Sequence, residues 1–285
     1  MKGRSVGGTI ELLRKGNVTI HTYMAPEESS LVTSHIIETK SKLVIVDVQF
    51  MRLYAQELKS YVEQLGKPIE RIIISHAHPD HWFGLEYFCE VPVFSLPEVA
   101  EDINRRGDFY IRIRRGQYGE RVTESKIIPT HRISQGREVL DGLTYEFEKI
   151  TDAEHPNQLI IKLPELRTIV VQDLVSNHAH AFIAGGRLDN WIKALERLQS
   201  LQDYDVVLAG HGAPADRPLY GETIQYLQHA KSVLATSDTA KQIERGLIEK
   251  YPTYGARPLA ELSGRFTMFL RGQPALRQQQ DRAKQ

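Results

Sequence analysis

The stretch "SHAHPDHWFG", residues 75–84, sets three histidines and an aspartate within six positions, directly behind the apolar run "RIIIS". A buried strand that merely ended would not need His76, His78, Asp80 and His81 together. Side chains alternate along a strand, so His76 and His78 face the same way if extended geometry persists through Ala77. Pro79 disfavours helix for His78 and fixes a turn, after which Asp80 and His81 can swing towards a second point. One short segment thus offers two ligands to each of two adjacent metal ions, and imidazole with carboxylate is the donor set of zinc-type sites.

Outward from this stretch the chain alternates strands and helices. "GTIELLRKGNVTIHTYM" has strand alternation broken by Gly16-Asn17, a hairpin signal. "KLVIVDV" is a continuous apolar strand of the kind buried on both faces. Leu53, Leu58, Tyr61, Val62 and Leu65 fall near helical spacing, and Gly66 with Pro68 stops that helix. "IERIIIS" is then the next buried strand, so strand, helix and strand form a βα unit feeding a parallel pair. Residues 97–120 read as helical but irregular, with many arginines. "NQLIIKLPELRTIVV" is two strands about a turn at Pro164-Glu165, centred near Leu163-Pro164. "DNWIKALERLQSL" is an amphipathic helix with Asp189 as its expected N-cap. "YDVVLAGHG" is a further buried strand, residues from Arg217 to about Gly272 are mostly helical, and 273–285 read as a frayed, disordered tail.

The 285 residues contain 41% hydrophobic and 25% charged residues, an ordinary globular composition, with no low-complexity linker and no internal repeat. One α/β domain over 1–272 is the simplest expectation. Thirty-six basic residues balance 36 acidic ones, so no net field gathers nucleic acid or an anionic membrane. "RIRRGQYGER" (112–121) is a candidate basic patch, read here as a solvated face. The single cysteine, Cys89, cannot form an internal disulfide; it fits a reducing compartment and is expected to be buried and inert. The N-terminus lacks the apolar core of a signal peptide, and no run approaches the roughly 20 apolar residues of a membrane span. The expectation is a soluble, cytoplasmic protein acting on a small molecule, with neither nucleic acid nor membrane as partner and a homodimer left open.

With its H-x-H-x-D-H segment behind a strand, the sequence resembles the metallo-β-lactamase-fold hydrolases. That resemblance implies an α/β fold, an αββα sandwich, here with a helical C-terminal part, and a one- or two-metal site at one sheet edge. Later signals occur in family order. "VVQDLV" resembles the strand ending in the bridging aspartate, which carries over to Asp173, and "VLAGHG" the last ligand histidine, which carries over to His211. "KLVIVDV" resembles the early strand ending in an aspartate, here Asp47, although the usual Thr-Gly after it is replaced by Val48-Gln49. These positions follow buried strands, where open α/β sheets tend to place ligands.

At the third ligand the sequence departs from the family. In place of the usual Gly-His-Thr stands "TDAEHPNQ". Family register, ten residues before Pro164 and nineteen before Asp173, gives Glu154, as in the alkyl sulfatases, and His155 is the alternative. One metal would then have His76, His78 and Glu154, the other Asp80, His81 and His211, with Asp173 bridging. Two divalent ions are expected, zinc first, with manganese or iron admitted by the extra carboxylate. The resemblance places His180, in "SNHAHAF", near the metals as a group that contacts substrate or protonates a leaving group. Trp82 and Phe83 serve equally as pocket wall or core, and His21, His35, His131 and His229 are read as structural. A metal-bridged hydroxide, with Asp80 orienting it and shuttling a proton, would attack a small ester, thioester, lactone or sulfate. No H-E-x-x-H motif offers another mechanism. The rival expectations are a mono-iron persulfide dioxygenase-like enzyme and a non-enzymatic metal-binding member of the fold.

Overall fold

In the computed structural model, which describes residues 7–185 and 187–272, the strands form two sheets. The tail expectation for 273–285 lies outside the described residues. The first sheet begins with the hairpin of β1 (Thr9–Lys15) and β2 (Val18–Met24), turned at Gly16 with φ +59°. It continues in order through β3 (Thr33–Glu38), β4 (Leu43–Val46), β5 (Ile69–Ile74), β6 (Val93–Ser95) and β7 (His131–Arg132). Pairing is antiparallel up to β4 and parallel from β4 to β7. Helices α1 (Arg52–Gln64), the single turn α2 (Pro79–Trp82) and α3 (Pro97–Tyr118) connect β4, β5, β6 and β7. The irregular helix expected over 97–120 is one continuous helix of 22 residues, opened by a proline in its first turn and ended at Gly119.

The second sheet holds β8 (Gly136–Leu140), β9 (Leu143–Thr151), β10 (Asn157–Leu163) and β11 (Thr168–Ser176), followed by β12 (Val206–His211) and β13 (Ala215–Asp216). Between β11 and its parallel neighbour β12 lies α4 (Leu188–Ser200). The chain then runs through α5 (Pro218–Thr236), α6 (Ala240–Lys250) and α7 (Arg257–Arg271). Strand alternation assigns the layers. Leu159, Ile161, Val170 and Leu208 join the core shared with the first sheet, whereas Ile160, Ile169, Val171 and Val207 pack with Trp191, Leu195 and Leu198 of α4. Each such fully buried side chain contributes about 1.5–3 kcal/mol relative to exposure. Both faces of the second sheet are therefore covered, and the architecture is an αββα sandwich with a helical C-terminal region.

Three local expectations are corrected. Asp189 does not cap α4: the helix starts at Leu188, and Asp189 lies in the first turn, where it meets the helix dipole and pairs with Lys231. Cys89 is exposed rather than buried, its Sγ donating to the Glu86 carbonyl at 3.1 Å. The β10–β11 turn, a short 3-10 segment at Pro164–Leu166, is centred between Glu165 and Leu166, because Leu163 pairs with Thr168. Continuing that register sets Gln158 opposite Asp173, so neither Glu154 nor His155 reaches the β11 end through the ladder.

The two sheets are pinned together by polar groups at the site end. Thr33 Oγ1 donates to the Ala209 carbonyl at 2.6 Å, and His35 Nε2 donates to the same carbonyl at 3.2 Å. Burial lowers the His35 pKa from 6.5 to about 4, with the Ala209 bond opposing. Between those pH values the unfolded chain binds a proton that the folded chain refuses, so stability falls as pH drops through this window. The expected loss from His35 is about 3 kcal/mol between pH 6.5 and 4. Denaturant titrations of the wild-type and His35→Gln proteins check this: the variant should be weaker at pH 7 but show a shallower fall towards pH 4.

Candidate metal centre

The ends of β5, β11 and β12 bring the chemistry together. The strand geometry of β5 stops at Ile74, and His76 and His78 lie in the loop beyond it. His78 remains extended, with φ −68° and ψ 140°, as the following Pro79 demands, and Pro79 then opens α2, which carries Asp80 and His81. His76, His78, Glu154 and Asp173 form one cluster, and Asp80, His81, Asp173 and His211 a second, with donor atoms inside each within 4.8 Å of one another. Asp173 belongs to both. Its Oδ2 lies 3.4 Å from His76 Nε2 and 3.4 Å from His211 Nε2, and its Oδ1 lies 3.1 Å from His81 Nε2.

Contacts behind the imidazoles decide which nitrogen faces inward. Asp47 Oδ2 accepts from His81 Nδ1 at 2.8 Å, and the Ser30 carbonyl accepts from His211 Nδ1 at 2.7 Å. Carboxylates and carbonyls only accept, so both rings keep the Nε2 lone pair for the cluster. Ser75 Oγ gives its one proton to Asp47 Oδ2 at 2.7 Å, so it accepts from His76 Nδ1 at 2.9 Å and sets that ring the same way. Asp47 also accepts from the Ser75 backbone N–H at 2.8 Å and from Gln172 Nε2. Asp47 and Gln172 both sit at positive φ, +59° and +45°, at the turn out of β4 and at a bulge in β11. Such strain is typical of strand ends that aim functional groups.

The electrostatics suit a cation. Burial, with neighbouring His81, lowers His76 to about 4, and burial lowers His78 to about 4, so both rings stay neutral as ligands must be. Burial opposes charge on Asp173, yet His81, His211 and His76 hold its carboxyl well below the usual range. Burial and nearby Asp173 push Glu154 well above it. Both Glu154 carboxylate oxygens, Asp173 Oδ1 and His81 Nε2 are buried without a hydrogen-bond partner in the structure. Buried acceptors left unpaired are costly, and four converging on shared clusters fit divalent cations.

The remaining expected residues lie elsewhere. His155 turns from the cluster: its Nδ1 faces the backbone of Asn157 and its Nε2 lies 3.5 Å from Asp102 Oδ2 on α3. Glu154 enters from the bend between β9 and β10, which explains its reach despite the ladder register. His180 is not brought to the clusters. It is buried against α5, Nδ1 3.2 Å from the Tyr226 hydroxyl, with its backbone N–H held by the Gly255 carbonyl. Trp82 and Phe83 are core. His21, His131 and His229 pack against Tyr61, Phe94 and Tyr251, outside the clusters. The cavity in front of the clusters is walled by α3, by Phe182, Gly185 and Arg187 and by α7, and includes Phe50 and Tyr110. Sequence spacing gives no sign of these, because they meet only through the packing of separate helices.

One glycine makes the shared carboxylate fit: a Cβ at Gly210 would lie 1.9 Å from Asp173 Oδ1 and 2.8 Å from its backbone nitrogen. Gly210→Ala should therefore displace Asp173 and lower bound metal at both clusters together. Metal analysis beside circular dichroism checks this, and a folded variant with full metal content would contradict it.

A family model described as the metallo-beta-lactamase superfamily matches residues 30–211. The chain is 26% identical over 221 residues to the alkyl/aryl-sulfatase BDS1 of Saccharomyces cerevisiae, covering 63% of this chain and 34% of that protein. It is also 26% identical over 81 residues to the uncharacterized protein YobT of Bacillus subtilis, covering 28% of this chain and 33% of that one. The chain thus spans about a third of the length of these curated relatives. Among solved structures, a metallo-beta-lactamase from Pontibacter korlensis superposes with TM-score 0.60 at 22% identity, covering 77% of this chain and 99% of that one. DIM-1 metallo-beta-lactamase superposes with TM-score 0.58 at 16% identity, covering 78% and 98%. The likeness to these structures concerns the fold, and the family match spans β3 to β12, the elements that carry both clusters. The chain belongs to the metallo-β-lactamase superfamily.

Proposed function

We propose that the chain is a metal-dependent hydrolase in which His76, His78, Glu154 and Asp173 hold one divalent cation and Asp80, His81, His211 and Asp173 the other. The observation that carries this is the sharing of Asp173 between two four-residue clusters. The cations, zinc first and manganese or iron by virtue of the carboxylate-rich donors, supply Lewis acidity and an ionised water at neutral pH. The chain's own residues set the geometry. Asp47 and the Ser30 carbonyl hold the rings of His81 and His211 with Nε2 inward. Asp80 lines the cavity, 3.5 Å from His211 Nε2, where its carboxylate can orient the attacking water and take its proton.

The substrate proposed is a small molecule carrying a sulfate ester, with carboxylic ester, thioester and lactone as the other classes a site of this kind can cut. Two features support sulfate: the alkyl/aryl-sulfatase relative, and a glutamate at the third-ligand position. No helix among the described residues is long and apolar enough to cross a membrane. An exposed free thiol at Cys89 suits a reducing, cytoplasmic setting. Neither nucleic acid nor membrane is part of the proposal, and a homodimer is compatible with it.

Metal analysis should give two ions per chain. Asp173→Ala should lose both, and Glu154→Gln should lose one while His155→Ala loses none. A single iron, or loss with His155→Ala instead, would contradict the assignment. Asp47→Asn, which disturbs two ring tautomers, should weaken metal affinity about 10–100-fold in competition with a chelator. Turnover of a panel of sulfate esters, esters, thioesters and lactones tests the reaction, and its absence in protein holding two ions would refute the hydrolase.

A further inference from the structure

Three arginines and a run of rings line the cavity in front of the clusters; Arg106 is paired with Asp102 and Arg114 lies over the Phe50 ring, which leaves Arg187. At the Glu154 end, Arg187 lines it, donating from Nε to the Ala153 carbonyl at 3.2 Å and from an Nη to the Glu154 carbonyl at 3.0 Å. Among the described residues no carboxylate forms an ion pair with this guanidinium, although Glu154 and Asp152 favour its charge against burial. A guanidinium has five donors, so two carbonyls leave it under-used, and its planar fork matches an oxyanion. Space is kept for it: a Cβ at Gly185 would lie 2.8 Å from its Nη.

The apolar end is a continuous run of rings. His78 lies 5.6 Å from Phe182, Phe182 5.8 Å from Phe266, and Phe266 6.0 Å from Phe269, centroid to centroid. Phe182 and Phe266 line the cavity, and Phe269 is 48% exposed on α7. Phe109 and Ile113 of α3 line the same cavity while 41% and 40% exposed. Large apolar side chains exposed around a cavity mouth mark a binding surface.

We propose that this site takes an amphiphilic anion, its oxyanionic head at Arg187 beside the clusters and its apolar tail laid along Phe182 and Phe266 towards Phe269. It rests on the hydrolase proposal only for the bond that is cut; the head and tail contacts belong to the cavity. Affinity then grows with tail length, and a short-tailed anion is a poor ligand.

Calorimetric titration of the metal-loaded protein with linear alkyl sulfonates of increasing length, each below its micelle concentration, tests this. Sulfonates have no ester bond to cut, so binding is read apart from turnover. The dissociation constant should fall about fourfold per methylene over the length of the run. Arg187→Met should weaken every sulfonate about 10–100-fold with the length dependence and metal content kept, and Arg187→Lys should recover part of the loss. Phe266→Ser should flatten the length dependence and leave the shortest sulfonate unchanged. Affinity independent of length would overturn the tail assignment. Unchanged binding in Arg187→Met, or loss of metal from it, would overturn the head assignment and leave Arg187 as a support for Glu154. Length-dependent sulfonate binding without turnover of the matching alkyl sulfates would refute the sulfate-ester reading of the hydrolase and leave the amphiphile site standing.

Discussion

The Asp173 carboxylate stands among His76, His81 and His211, with an oxygen 3.1–3.4 Å from an imidazole nitrogen of each. Everything else at this edge of the sandwich is arranged so that one buried aspartate can face two clusters at once. β11 is buried along its whole length, and its parallel pairing with β12 slips at Gln172, which turns the strand end towards the loop behind β5. β12 answers with Gly210, whose missing side chain is the space the carboxylate fills. An isolated buried carboxylate would be expelled or protonated. Here three rings offset that penalty, and they in turn are held by Asp47 and by the Ser30 carbonyl.

The second layer of contacts joins site to fold. Asp47, at the end of β4, reaches Ser75, His81 and Gln172, so it ties the first sheet, the histidine-bearing loop and the bulge of β11 into one network. Thr33 and His35 tie β3 to the carbonyl of Ala209, two residues before His211. The spacing between the sheets at the site end is thus set by hydrogen bonds, while apolar packing fills the middle. Preorganisation of this kind lets a metal site keep its geometry with a cavity open in front of it.

Much of this was legible in the sequence, for physical reasons. H-x-H-x-D-H is dense enough to define two ligand directions unaided, and the apolar runs before Asp173 and His211 locate strand ends. Proline and glycine punctuation marks the β1–β2 turn and the end of α1. That Glu154 rather than His155 joins the first cluster was legible by family register but not by hairpin geometry: the β10–β11 turn sits two residues further along than expected, and Glu154 arrives through an irregular bend. His180 shows the opposite failure. Its position in the chain suggested the metals, but the Gly255 carbonyl and Tyr226 draw it towards the C-terminal helices. Arg187 and the ring run of α7 leave no local signal, since their meaning comes from elements far apart in sequence. Cys89 departs from expectation because a small apolar residue near a strand is buried on average, whereas this one lies at the surface two residues beyond the 3-10 turn Phe83–Tyr87.

The site as proposed turns on one aspartate, Asp173, shared by two metal ions. Crystals of the metal-loaded protein, measured at the absorption edge of the bound element, test it most directly. Two anomalous peaks about 3.5–4 Å apart are expected, one against His76, His78 and Glu154, the other against Asp80, His81 and His211, with Asp173 beside both. A single peak, or one coordinated by His155 with Glu154 turned away, would contradict it.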